Sequence, residues 1–289
     1  ENLTPRDVMA FCLAFGHLLK YRHPRPRLCI GRDSRISGPM VAGLSQAVLS
    51  SIGIDVLDLG LTTTPTIEMA ILHHKAHGGI MLTASHNPME WNALKLLNER
   101  GEFISPEEGI KIQELSRDQR IFDQFVHVEQ LGTSIALLGT IEEHVHSILS
   151  LPFIPVELIR AARFKVVADC INSTGALALP VLFEALGCDY KLINENHDGR
   201  FVHNPEPLEA HLGDLFRISK ETGSDLGIAV DPDVDRLALV DENGRYIGEE
   251  YTLVTAADFM LSKMGGPVVS NLSSSRALRD LASSYATEC

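Results

Sequence analysis

Short apolar runs alternate along the chain with longer segments whose apolar residues recur every three or four positions. "RLCIGRD" at 27–33 reads as a strand, and "SGPMVAGLSQAVLSSIG" at 37–53 as a helix opened by Ser37, with Pro39 in its first turn and Gly53 closing it. "IDVLDLG" at 54–60 reads as a second strand, "TTPTIEMAILHHK" at 63–75 as a helix and "GGIMLTAS" at 78–85 as a third strand. This βαβαβ order predicts a parallel sheet with right-handed crossovers. A hairpin-like "ALKLLNERGEFI" and the helix "SPEEGIKIQELSRD", with Ser105 and Glu108 at capping-box spacing, complete the block.

From Thr140 the rhythm restarts. A helix near "TIEEHVHSILS" leads to the strand "FKVVADC", the helix "TGALALPVLFEALG", the strand "DYKLIN", a polar loop through "FVHNPEP", the helix "LEAHLGDLFRISKETG" and the strand "DLGIAVD". A third start, "PVVSNLSSSRALRDLASSYATEC", reads as a strand then a helix. The expectation is an α/β chain of tandem βαβαβ domains, with mixed, mainly parallel sheets flanked by helices and an active cleft between domains. Residues 1–139 form the first, 140–255 the second, and 256–289 the start of a third.

The third strand of each block runs into a polar loop, "TASHNP" in one and "DPDVDR" in the other. Open α/β sheets bind ligands beyond the carboxyl ends of their strands, so the two loops are predicted to face one cleft. Asp231, Asp233 and Asp235 alternate, which in an extended segment points all three carboxylates to one side, and Pro232 biases Asp231 toward extended backbone. Three such charges repel unless a cation sits among them, and an all-oxygen, carboxylate-rich set suits Mg²⁺. Arg236 adjoins them with a planar fork suited to an anionic oxygen group.

Rival readings of these loops differ in what they explain. Glu242 falls at the twelfth position from Asp231, as in an EF-hand, but Arg236 occupies the sixth, where glycine is needed, and strands flank the loop. A solvated acidic turn needs no ligand. An aspartyl-phosphate enzyme also places an aspartate after a strand, yet leaves Ser85 unexplained. "TASHN" lacks the glycines of the hydrolase GxSxG elbow, whereas a phosphorylated Ser85 would supply oxygens that complete a Mg²⁺ shell.

Charge and composition narrow the partners. Asp plus Glu exceed Lys plus Arg by 13, which argues against a basic face for nucleic acid and leaves an anionic ligand to a few placed cations or a metal. Cys12, Cys29, Cys170, Cys188 and Cys289 show neither CxxC nor disulfide-framework spacing and read as reduced thiols of a cytoplasmic protein. No apolar run approaches the roughly 18 residues of a membrane span, and the acidic start at Glu1 lacks the features of a signal peptide. His73, His74 and His77 read as basic residues at a helix end. Cys170 reads as strand packing and Trp91 as a packing anchor, while His203 is expected to face the cleft.

"TASHNP" with Lys95 after it, together with "DPDVDR", resembles the α-D-phosphohexomutase superfamily, which includes phosphoglucomutase, phosphomannomutase and phosphoglucosamine mutase. "GRDSR" at 31–35, "TTPT" at 63–66, "DCINSTGA" around Asn172 and Gly175, and "HNPEP" at 203–207 extend the resemblance over essentially the whole chain. The resemblance implies a four-domain enzyme that interconverts hexose 1-phosphate and hexose 6-phosphate through an active-site phosphoserine, one Mg²⁺ and a hexose 1,6-bisphosphate. Carried over, Ser85 holds the phosphoryl group, Asp231, Asp233 and Asp235 hold the metal with a phosphoserine oxygen, and Arg236 contacts that phosphate. Lys95 and His86 become candidates for proton transfer, and Arg35 for orienting the site from the far side of the loop. An aspartyl-phosphate phosphatase and a silent sugar-phosphate-binding regulator of the same fold are the alternatives.

The family often has glycine where this chain has Ala93, Pro232 and Val234, and an arginine-bearing segment expected before Glu1 is not in the sequence. Its sugar-gripping and distal phosphate-binding loops fall outside these 289 residues. Residues 1–289 alone are therefore expected to fold in their first two domains and to be nearly inactive as a mutase. Which hexose is used is not legible.

Overall fold

The structure is a computed structural model that describes residues 3–272 and 274–289. Its first sheet has the order β4-β3-β1-β2-β5. These strands are β1 (Arg27–Arg32), β2 (Asp55–Leu61), β3 (Gly79–Leu82), β4 (Leu94–Leu97) and β5 (Ser134–Ala136). β1, β2, β3 and β5 pair in parallel, and β4 returns antiparallel on β3. Period-2 alternation buries both faces. Leu28 and Ile30 face one way, into a core with Phe15, Leu49 and Ile80; Cys29 faces the other, with Ile67, Ile71 and Met81. Each such fully buried Leu, Ile or Phe contributes about 1.5–3 kcal/mol.

Helices α2 (Gly38–Ser51) and α4 (Pro106–Arg117) cover the first face and α3 (Thr64–His73) the second. They are joined by an additional helix, α1 (Pro5–Arg22), which begins at a Thr4–Asp7 capping box with Pro5 in its first turn. Val8, Cys12, Phe15 and Leu19 recur at helical spacing and are all buried, so its apolar stripe seals the layer. The capping box at Ser105 and Glu108 is present. Ser37, however, makes no side-chain cap bond, because its own backbone is already helical and its hydroxyl accepts instead from Asn92 Nδ2 at 3.0 Å.

The second sheet repeats the plan with the order β7-β6-β8-β9, built from β6 (Lys165–Asp169), β7 (Asp189–Ile193), β8 (Leu226–Val230) and β9 (Leu237–Val240). β6, β7 and β8 are parallel, and β9 returns antiparallel on β8. After the short helix α6 (Val156–Ala162), α7 (Gly175–Ala185) packs on one face through Leu179 and Phe183, and α8 (Gly213–Thr222) on the other through Leu215. α8 is shorter than the apolar pattern suggests: residues 209–211 form a separate 3₁₀ turn before it. In both sheets the polar loop joins the third parallel strand to its antiparallel return. The two loops are topological equivalents.

Two expectations fail near the end of the chain. The boundary expected at 255/256 falls inside α9 (Glu249–Met264), one continuous helix, so no linker exists there. The strand expected in "PVVSN" does not form among the described residues; Val268 N instead donates to Glu288 O at 3.0 Å. α10 (Ala277–Ser284) does form and is tied to α9 by Tyr285 Oη donating to Asp258 Oδ1 at 2.8 Å. The division into domains at 139/140 is a proposal, and Glu1 lies outside the described residues. Among those residues no helix is long and apolar enough to cross a membrane.

The blocks meet along two seams. α5 (Thr140–Leu149) lies against α3, where His144 Nδ1 is 3.0 Å from Thr66 Oγ1 and His74 Nε2 is 3.2 Å from Glu143 Oε2. At the second seam the Arg35 guanidinium sits 5.2 Å from the centre of the Phe201 ring, and Gly199, at φ +74, lies so close to Ser34 that a Cβ would stand 2.1 Å from the Ser34 carbonyl oxygen. Gly199→Ala therefore combines a left-handed residue, costing about 1–2 kcal/mol, with a backbone collision between the loops. Urea unfolding is expected to show destabilisation of more than about 1 kcal/mol, and a loss within error of zero would mean that the seam is loose.

Candidate active site

Leaving β3, the chain places Thr83 and Ala84 in the interior and Ser85 half-buried at the surface, in a left-handed conformation at φ 49. Non-glycine residues adopt that region only where their surroundings hold them. Here Ser85 N donates to Thr83 Oγ1 at 2.9 Å, Thr83 Oγ1 donates to Asp33 Oδ2 at 2.7 Å, and Asp33 also accepts from Arg35 N and Nε. The remaining four guanidinium hydrogens reach the carbonyls of Pro88, Trp91, Ser85 and Asn87, at 2.5 to 2.9 Å. Every donor of Arg35 is thus used on loop backbone or on Asp33, and the side chain is fully buried. Arg35, expected to orient the site from the far side of the loop, thus shapes the serine loop and has no donor left for a substrate.

The acidic loop is not extended. Pro232 O accepts from Ser173 Oγ and Thr174 Oγ1 at 2.6 and 2.8 Å, Val234 adopts φ 62, and Val234 N donates back to Asp231 O at 3.1 Å. A turn, rather than strand alternation, gathers Asp231, Asp233 and Asp235, each offering an oxygen within 4.8 Å of the others. β8 and β9 flank the turn, which removes the EF-hand reading. Asp231 and Asp233 are fully buried, whereas Asp235 is partly exposed.

The loops meet at hydrogen-bond distance. Ser85 Oγ lies 2.7 Å from Asp231 Oδ2 and 3.4 Å from Asp235 Oδ1, and Lys95 Nζ bridges Asp233 Oδ2 and Asp235 Oδ2 at 2.6 Å each. Lys95 comes from β4, the strand that carries the serine loop back into the sheet. Burial first, then the charges of Asp233 and Asp235, pushes the Asp231 carboxyl up to about 8. For Lys95, burial acts to lower the pKa, but Asp233 and Asp235 outweigh it and the ammonium is held above its ordinary value. The buried Asp233 Oδ1 has no hydrogen-bond partner among the described residues.

His86 Nδ1 is 3.5 Å from Ser85 Oγ, and Arg236 Nη1 pairs with Glu206 Oε1 at 2.8 Å rather than with a residue of the serine loop. Glu206, noticeable in the sequence only as part of "HNPEP", also lies 3.9 Å from His86 Nε2. Thr64 of "TTPT" carries no local signal of a role, yet its N–H donates to Asp233 O at 2.8 Å and its hydroxyl to Asp233 Oδ2 at 2.5 Å. His203 does not enter this cluster: Nε2 is 3.0 Å from Asp169 Oδ2 and Nδ1 is 2.8 Å from Asn204 O. His77 Nδ1 accepts from Arg27 N, and Trp91, expected to anchor packing, is 47% exposed. Cys170 is buried in the second block's core.

Residues 1–120 match phosphoglucomutase/phosphomannomutase alpha/beta/alpha domain I, and residues 142–244 match domain II. The chain therefore belongs to the phosphoglucomutase/phosphomannomutase family of the α-D-phosphohexomutase superfamily. It is 37% identical over 288 residues to a phosphoglucomutase/phosphomannomutase of Thermococcus kodakarensis, covering 98% of this chain and 61% of that protein. It is 30% identical over 288 residues to a phosphoglucosamine mutase of Methanococcus aeolicus, covering 97% and 60%. A crystal structure of a Thermus thermophilus protein provisionally assigned as a phosphomannomutase superposes with a TM-score of 0.86 at 25% identity, covering 99% of this chain and 64% of that one. The chain thus spans about three fifths of the length of the curated relatives it matches.

Arg35→Met removes the partner of a buried carboxylate and the donors of four carbonyls. Chemical denaturation is expected to show a loss of about 3–5 kcal/mol, and a loss under about 1 kcal/mol would contradict the role given to this side chain. For His203, burial acts to lower the pKa but the Asp169 bond outweighs it, so the folded value lies above the unfolded one. The stability from this pair is present in full below the unfolded pKa of about 6.5 and is lost as pH rises through the folded value. The stability gap between wild type and His203→Gln is accordingly expected to narrow from about pH 6 to about pH 9; a gap that widens would reverse the assignment.

Proposed function

We propose that this chain carries the phosphoryl-transfer half of a phosphohexomutase site, for reversible interconversion of hexose 1-phosphate and hexose 6-phosphate through phosphoserine at Ser85 and a hexose 1,6-bisphosphate intermediate. The observation that carries the reading is the 2.7 Å contact between Ser85 Oγ and Asp231, which joins the hydroxyl to three converging carboxylates. The three aspartates fit a hard divalent cation: the donors are all oxygen, and the buried Asp233 Oδ1 has no other partner among the described residues. Asp231, Asp233 and Asp235 would hold Mg²⁺ together with an oxygen of the phosphorylated Ser85. When bound, Mg²⁺ supplies charge neutralisation for the transferring phosphoryl group, where positioning and electrostatics provide most of the acceleration.

The chain's own residues divide the remaining work. As the Oγ–P bond of Ser85 breaks and a sugar O–P bond forms, the sugar hydroxyl must lose a proton and Ser85 Oγ must gain one; in the reverse step Ser85 Oγ loses that proton and the sugar oxygen takes one up. His86, nearest to Oγ, and Lys95 are the proposed proton carriers. Lys95 enters as an ammonium and so begins as a donor or an electrostatic partner. Arg236, within reach of an anion if it exchanges Glu206 for phosphate oxygens, is the proposed phosphate contact. An aspartyl-phosphate mechanism is disfavoured because both Asp231 oxygens are already engaged, Oδ1 by two backbone N–H groups and Oδ2 by Ser85.

Incubation with a hexose 1,6-bisphosphate and Mg²⁺, followed by peptide mass spectrometry, is expected to place the phosphoryl group on Ser85 and to leave Ser85→Ala unlabelled. Label on Asp231, or equal labelling of the Ser85→Ala chain, would overturn the proposal.

A further inference from the structure

Thr64 is the first residue of α3, in the first block, yet its nearest polar contacts lie in the acidic loop of the second. Its backbone N–H, one of those left without an intrahelical partner at a helix start, donates to the carbonyl of Asp233. Its hydroxyl donates to Asp233 Oδ2, which also receives Lys95 Nζ at 2.6 Å. The hydroxyl and Lys95 Nζ engage the same carboxylate oxygen, while Oδ1 is buried with no partner among the described residues. A carboxylate that is free to rotate exchanges its two oxygens; one whose Oδ2 is fixed by two donors keeps Oδ1 turned the other way.

From this arrangement we propose that Thr64 is a positioning residue: its hydroxyl fixes the rotamer of Asp233 so that Oδ1 is presented to a divalent cation. The inference rests on the cation reading of the three aspartates and adds to it a residue from outside both loops. Thr64 is itself held firmly. Thr63 caps α3, accepting from Thr66 N at 3.1 Å and sharing a 2.7 Å hydroxyl contact with Thr66 Oγ1, and Pro65 fixes the backbone of the first turn. Groups that orient a metal's ligands in this way are commonly worth about 10- to 100-fold in metal affinity.

The test titrates Mg²⁺ alone into the chelator-stripped 289-residue chain by calorimetry, for wild type, Thr64→Val, Thr64→Ala, Thr64→Ser and Asp233→Asn. Thermal unfolding of each is recorded in EDTA. Thr64→Val and Thr64→Ala are expected to weaken Mg²⁺ binding by about 10- to 100-fold, whereas Thr64→Ser, which keeps the hydroxyl, stays within about threefold of wild type. A merely structural role would lower the EDTA unfolding temperature and leave the affinity of the folded chain unchanged. Should Thr64→Val fail to fold, the pair Thr64→Ala and Thr64→Ser carries the comparison.

Wild-type affinity in Thr64→Val and Thr64→Ala, alongside lost binding in Asp233→Asn, would overturn the role of Thr64 and leave the cation reading standing. A wild-type chain that takes up no Mg²⁺, or an Asp233→Asn chain that binds it unchanged, would overturn the cation reading and this inference with it.

Discussion

Two fully buried carboxylates and a third half-exposed one, gathered within 4.8 Å, are the constraint around which this molecule is arranged. Ionised carboxylates at this separation in a low-dielectric setting repel strongly unless positive charge or donated hydrogen bonds reach them. The first block supplies much of that compensation: Lys95 from β4, the Ser85 hydroxyl from the loop before it, and the Thr64 N–H and hydroxyl from the start of α3. The groups proposed for catalysis and the structural cement are therefore partly the same atoms. The site holds the two blocks together, and the seams at Phe201, Gly199 and His144 hold the site.

The fold makes this meeting possible by repetition. Each sheet ends its parallel run in a strand whose exit loop turns back antiparallel, so the serine loop and the acidic loop occupy equivalent places. Each loop also needs a support that its own residues lack. Arg35 saturates four carbonyls of the serine loop, and Ser173 and Thr174 saturate Pro232 O in the acidic one. The supports lie at the ends of β1 and β6, the strand next to the third in each sheet.

Most of the architecture was legible because apolar periodicity and caps decide it locally. α1 carries the same local signals, in the Thr4–Asp7 box and the 8, 12, 15, 19 stripe. The failed strand in "PVVSN" and the boundary inside α9 have another cause, since a strand needs a partner edge and no local pattern shows whether one is present. In the site, residue types pointed to the chemistry but not to the backbone. Alternating aspartates read as strand geometry, while the Val234 turn depends on contacts with Ser173 and Thr174 from another segment. Thr64 and Glu206 were hidden for the same reason: their partners are 169 and 30 positions away. Only the fold brings them together.

The central claim is that Ser85 and the three aspartates share one cation. It is tested most directly by loading the chain with Mn²⁺ in place of Mg²⁺ after phosphorylation by a hexose 1,6-bisphosphate, and measuring the ³¹P coupling of the bound ion by electron–nuclear double resonance. The account predicts a strong through-bond ³¹P coupling that vanishes in Ser85→Ala and in Asp233→Asn. Bound Mn²⁺ with no ³¹P coupling, in a chain shown to carry its phosphate on Ser85, would contradict it.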